Sequence, residues 1–203
     1  APGGALRSVG VRVLVGAIGF IAVAIGVVEL VVPAVAETAG RSTAIGSVLL
    51  AAIAAGSLLG RLVYGGRTWP GTLVQRVRLL VVALVGGLLL VSVATAHLVV
   101  FGAALFVGGM FLAPTMICTF QLLDDNAIAG TQVEAQSWLQ TSVVFGVAAG
   151  TAGAGWVVDS AGPLWALLAG AAAVGIGATV LNASVTAITP GTPVRQRARV
   201  GDG

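Results

Sequence analysis

One carboxylate stands alone in the first long apolar stretch of this chain: Glu29, between Val28 and Leu30. An ionisable side chain is costly in hydrocarbon and faces a cavity, water or a partner. Glu29 is therefore the foremost candidate for proton coupling or for contact with the polar part of a substrate. Counted from Arg12 at about 1.5 Å per residue, it falls in the outer third of its span, where a locally hydrogen-bonded interface carboxylate is the alternative. Pro33 follows four residues later on the same helix face. Its ring removes the hydrogen bond to the Glu29 carbonyl and is expected to bend or break the helix. Pro114 does the same to the carbonyl of Met110, beside Gly108 and Gly109. Two kinked helices suit a cavity wall that moves, and a static kink packed by small residues is the alternative. Thr115, Gln121, Gln136 and Gln140 add uncharged hydrogen-bonding groups, and Gln136 and Gln140 share a face at i,i+4. These four suit either a polar substrate or bonds between helices.

Other chemistries are poorly served. Ser47 and the single histidine, His97, are the one approach to a nucleophile and base. No Gly-x-Ser-Gly surrounds Ser47, and nothing in its turn orients His97, so an intramembrane protease is disfavoured and no enzymatic activity is expected. One His, one Cys and seven acidic residues, scattered along the chain, have no metal-ligating spacing. No glycine-rich phosphate loop occurs, and no cofactor is implied. Cys118 has no partner for an internal disulfide. The net charge is only +3 despite a pI near 10.5, and no basic patch alternates with aromatics, which argues against nucleic acid.

The elements that must position these residues are membrane spans. Of the 203 residues, 58% are hydrophobic and 8% charged, with a mean hydropathy of +1.07; a soluble globule needs more polar surface than this. The stretch from Leu79 to Leu123 lacks Asp, Glu, Lys and Arg and is about twice the ~20 residues of one spanning helix, so it folds back near Thr95-Ala96-His97. Six spans follow: Val11–Val35, Ser42–Tyr64, Val77–Thr95, Leu98–Leu123, Val133–Val158 and Pro163–Val185. Runs of this length without period-2 alternation exclude outer-membrane strands. The predicted organisation is a cytoplasmic segment over 1–10, a six-helix domain over 11–185 and a disordered cytoplasmic tail over 186–203. With both termini inside, Arg7, Arg12, Arg61, Arg67, Arg76, Arg78, Arg195, Arg197 and Arg199 are cytoplasmic and Arg41 alone is external, as the positive-inside rule requires. Trp69, Trp138 and Trp165 fall at span ends, where aromatic side chains anchor helices at the interface.

An internal repeat is present at low similarity. Ala54-Ala55-Gly56-Ser57 recurs as Ala148-Ala149-Gly150-Thr151, in spans two and five, which run in opposite directions. Two three-helix units of inverted topology have this property; chance similarity between Ala/Gly-rich helices is the alternative. Gly56 and Gly150 are expected on buried packing faces, because small residues let membrane helices approach closely.

The segment Gly56-Ser-Leu-Leu-Gly60-Arg61-Leu62-Val-Tyr64-Gly65-Gly66-Arg67 resembles a degenerate copy of the loop signature of the major facilitator superfamily, Gly-x-Leu-x-Asp-Arg-x-Gly-Arg-Arg. Gly60, Leu62, Gly66 and Arg67 fit; one residue is missing between them, and Tyr64 stands where the signature has Asp. Gly109-Met-Phe-Leu-Ala-Pro114-Thr115, Ala129-Gly-Thr-Gln-Val-Glu134-Ala-Gln-Ser-Trp138-Leu139 and Glu29-Leu-Val-Val-Pro33 extend the resemblance over nearly the whole chain. Together they are similar to the C-terminal six helices of bacterial efflux permeases of that superfamily. The resemblance implies an all-α fold of two inverted three-helix repeats and a place in the bacterial inner membrane. It also implies proton-coupled export of a small molecule by alternating access, with substrate held between this half and a missing N-terminal six-helix half. The competing expectation is a free-standing six-helix protein that homodimerises through the glycine faces of spans two and five.

Overall fold

The computed structural model describes residues 4–188. After a single 3-10 turn over Ala5–Arg7, six long helices follow: α1 Val9–Thr38, α2 Thr43–Gly65, α3 Leu73–Val93, α4 Leu98–Asn126, α5 Gln132–Ala161 and α6 Pro163–Ala183. A short α7, Val185–Ile188, ends the described chain. All six long helices are long and apolar enough to cross a membrane, so this is a multi-pass membrane protein whose described residues are all-helical, without strands.

The helix ends explain where the boundaries differ from the hydropathy reading. The Ser8 side chain caps α1 by accepting from the Val11 amide at 3.4 Å, which starts the helix at Val9 inside the expected N-terminal segment. Thr72 and Gln75 form a reciprocal capping box, which starts α3 at Leu73, four residues before the apolar run expected from Val77. At their far ends α1 and α4 continue through Glu37, Asp124 and Asp125, polar residues that end an apolar stretch without ending a helix. Between α5 and α6 the chain turns on one residue, Gly162, at φ 93°. That backbone conformation suits glycine, and Pro163 then supplies a pre-set first helical residue. At the start of the expected tail, residues 186–188 belong to α7, and Ile188 is buried. The rest of that tail, with Arg195, Arg197 and Arg199, lies outside the described residues.

Pro33 and Pro114 lie inside helices that run on through them, so neither breaks its span. A membrane helix absorbs a proline because neighbouring helices and side chains can meet the backbone groups that it frees.

Packing follows small residues. α1 lies along α5 and α6, α4 lies along α2 and α3, and α3 meets α6. The tightest contacts are glycine against backbone. A Cβ at Gly56 of α2 would run into the Phe106 carbonyl of α4, and one at Gly109 of α4 into the Ile53 carbonyl of α2. On the other side, a Cβ at Gly150 of α5 would strike the Val23 carbonyl of α1, and one at Gly26 of α1 the Val147 carbonyl of α5. In both seams the reciprocal contact falls three residues before the partner's glycine. Hydroxyl groups reinforce the α1–α5 seam: Ser142 donates to the Val15 carbonyl at 2.7 Å and Thr151 to the Gly26 carbonyl at 3.3 Å.

Buried side chains form two clusters. One, with Leu14, Ile18, Val81, Leu122 and Leu139, fills the arginine-rich end where the α2–α3 and α4–α5 loops lie. The other, with Val31, Leu49, Phe101, Leu105 and Leu167, fills the opposite end. Burial is unequal among helices: in their most apolar stretches 50% of α1 is buried, against 22% of α2 and 17% of α5.

Candidate functional site

α1 and α4 each pack mainly on other helices and touch one another only lightly, and a cavity of about 560 Å³ opens among α1, α2, α3 and α4. A volume of this size suits a drug-sized molecule. Its walls are aliphatic: Ile21, Ile25 and Val28 from α1, Leu50 and Ile53 from α2, Leu84, Leu88 and Val91 from α3, Leu105 and Leu112 from α4. Gly87 of α3 and Gly108 of α4 widen it, and these two glycines also touch one another where the helices cross. Two polar side chains reach the wall, Glu29 and Ser57. Glu29 is exposed within its helix surface, and among the described residues no arginine or histidine lines the same space. The cavity therefore offers greasy walls, one acid and one hydroxyl.

One turn beyond Glu29, Pro33 backs onto Gly46 of α2, whose Cβ would lie 3.1 Å from the Pro33 Cα. This contact closes the α1–α2 seam next to the cavity. Pro33 is not itself part of the wall, and neither is Pro114, which is fully buried in α4. Pro114 leaves the Met110 carbonyl without its helical donor, and that oxygen lies against the backbone of Gly60 in α2. A Cα–H group is a weak but real partner for such an oxygen. Gly60 and Leu62, expected in a loop signature, occupy the last turns of α2. Gly60 is buried and Leu62 is exposed. Gly66 caps the helix, and Arg67 follows in the exposed loop.

The uncharged candidates lie elsewhere. Thr115 is fully buried and donates to the Phe111 carbonyl at 2.6 Å. Gln121 is exposed near the end of α4. Gln136 donates to Asp124 at 2.9 Å, tying the start of α5 to the end of α4, and Gln140 is exposed one turn further on. The structure thus brings Glu29 to the cavity but not these four. Gly56 and Gly150 are both buried at helix crossings.

Two features escaped the sequence reading. Ser57 lines the cavity next to Gly56, yet in sequence it is one more small residue of a packing motif. At the arginine-rich end, the Cys118 thiol of α4 donates to the Tyr64 hydroxyl of α2 at 2.8 Å. The Tyr64 ring stacks on Trp69, with centroids 5.6 Å apart. Trp69 in turn donates its indole N–H to the Tyr64 carbonyl at 3.0 Å. Arg76 grips the same loop through the Trp69 and Gly71 carbonyls. Tyr64 thus anchors both the α2–α3 loop and the α2–α4 seam, and only the loss of Asp from the loop signature pointed to the position.

No family model and no curated protein matches this chain.

Proposed function

We propose that this chain forms one six-helix half of a secondary transporter resembling the major facilitator superfamily. In this reading it exports a small molecule across the bacterial inner membrane, coupled to protons, by alternating access and without a chemical step on the substrate. The observation that carries the reading is Glu29 opening into an aliphatic cavity of about 560 Å³. An aliphatic cavity of that kind suits an amphiphilic guest, and a carboxylate in its wall can exchange a proton for that guest. Both termini are cytoplasmic in this reading, which puts Arg61, Arg67, Arg76 and Arg78 on the cytoplasmic side.

The inverted repeat gains support from the helix pairings. Exchanging α1 with α4, α2 with α5 and α3 with α6 turns the α1–α5 seam into α4–α2 and the α1–α6 seam into α4–α3, and both are main contacts. The same exchange carries the Gly150–Val23 contact onto Gly56–Phe106, and Gly26–Val147 onto Gly109–Ile53. The repeat seen in Ala54-Ala55-Gly56-Ser57 is in the register that these contacts require.

α2 and α5 are the least covered helices, and α5 exposes Ser137, Gln140 and Thr141 within its span. Polar groups at such depth favour a protein or water-filled neighbour over lipid. The partner is accordingly the other six-helix half; a second copy of this chain is the alternative occupant of the same faces.

The test is transport by the assembled protein in proteoliposomes. Glu29→Gln keeps size and hydrogen bonding but removes the titratable group. It is expected to abolish accumulation driven by a pH gradient while leaving substrate binding and exchange largely intact. Gradient-driven accumulation at the wild-type rate in Glu29→Gln would reduce Glu29 to a structural residue.

A further inference from the structure

A second groove, of about 390 Å³, lies between α3 and α6 and shares no residue with the cavity. Gln75, Arg78 and Asn182 line it together with Leu79 and Val82. α3 begins and α6 ends here, so all five side chains sit at the arginine-rich end of the bundle. We propose that this groove is a binding site for one anionic phospholipid, with its phosphate on Arg78 and the start of an acyl chain on Leu79 and Val82.

The order of residue types along α3 carries the assignment. Gln75 and Arg78 come first, about one turn into the helix, where a headgroup lies. Leu79 and Val82 follow, 71% and 59% exposed, where hydrocarbon begins. A soluble anion has no use for that apolar floor; a lipid uses both parts at once.

The polar groups have donors to spare. Gln75 accepts from the Thr72 amide through Oε1 at 3.1 Å, which fixes its head and leaves the amide hydrogens for phosphate oxygens. Asn182 spends one amide hydrogen on the Ala178 carbonyl at 2.8 Å, leaving its other hydrogen and Oδ1 for headgroup hydroxyls. Among the described residues Arg78 brings the groove's one formal charge, and no carboxylate lines the groove to neutralise it. Basic pockets between spanning helices select acidic headgroups on these terms, and the long Arg stem lets the guanidinium reach the headgroup level.

Native mass spectrometry of the intact protein, offered phosphatidylglycerol and phosphatidylcholine with identical acyl chains, tests the proposal. Wild type should retain phosphatidylglycerol over phosphatidylcholine. Arg78→Gln should cut that retention about fivefold, the effect of one arginine near a membrane surface. Asn182→Leu should lower it as well, and Arg78→Lys, which keeps the charge, should retain most of it. Arg67→Gln, in the exposed α2–α3 loop, should leave retention unchanged, and excess inorganic phosphate should not displace the lipid. Equal retention of the two lipids by wild type would overturn the site. So would an equal loss in Arg67→Gln, which would make the effect one of general charge, or displacement by phosphate, which would make it a site for a soluble anion.

Discussion

Glu29 brings the one formal charge to the cavity wall, and it stood out in sequence for the same reason it stands out in space: it interrupts an apolar run. Polar residues without charge carry no such signal. Ser57 on the cavity wall and Thr115 in the α4 core look alike in sequence, and the direction each faces is set by helix rotation alone. Tyr64 and Cys118 were equally illegible, since a thiol in an apolar run packs like any small hydrophobe until its neighbour is known. Their hydrogen bond makes a prediction. Tyr64→Phe keeps the stacking on Trp69 but removes the acceptor for Cys118, and should destabilise the protein by about 1 kcal/mol. Cys118→Ser retains a donor and should cost less. Thermal unfolding in detergent reads both; equal stability of Tyr64→Phe and wild type would show that the contact does not hold α2 to α4.

At the scale of helices, the existence of all six spans was legible because each must satisfy its backbone internally and present an apolar surface long enough to cross the bilayer. Their ends were less so. Hydropathy stops where polarity begins, whereas a helix stops where its caps are, as the Thr72–Gln75 box and the polar last turn of α4 show. The pairing of helices was only partly legible. A glycine-rich face announces close packing but not its partner, and the matched segments around Gly56 and Gly150 pointed to equivalence between α2 and α5 without naming α4 and α1 as the helices they meet. The contacts separate glycines that pack from glycines that do not. Gly56→Ala and Gly150→Ala drive a methyl group into a backbone carbonyl that cannot step aside, and each should destabilise the protein by about 1–3 kcal/mol. Gly153, three residues after Gly150, has open space at its Cβ position, so Gly153→Ala should be neutral or slightly stabilising. Denaturation midpoints compare the three variants. A loss at Gly153 as large as at Gly150 would mean that helix propensity, and not close approach, explains the glycines.

At the scale of the whole molecule, α1 and α4 each sit among the helices of the opposite sequence half, and the cavity lies among α1, α2, α3 and α4. In the proposed transporter this six-helix unit moves as one body against its missing partner half, with the α1–α5 and α2–α4 seams kept intact. In the proposed assembly the uncovered faces of α2 and α5 meet protein and the groove at Arg78 meets lipid. The central claim is that the cavity opens to each side of the membrane in turn, and Ser57 reports it directly. It lines the cavity together with Glu29, and a cysteine in its place is of nearly its own size. In the assembled protein with Cys118→Ser and Ser57→Cys, a membrane-impermeant maleimide should label position 57 from either face of the vesicle, with the preferred face reversing when the pH gradient is reversed. Labelling confined to one face under every gradient, or only by a lipid-soluble reagent, would contradict the account.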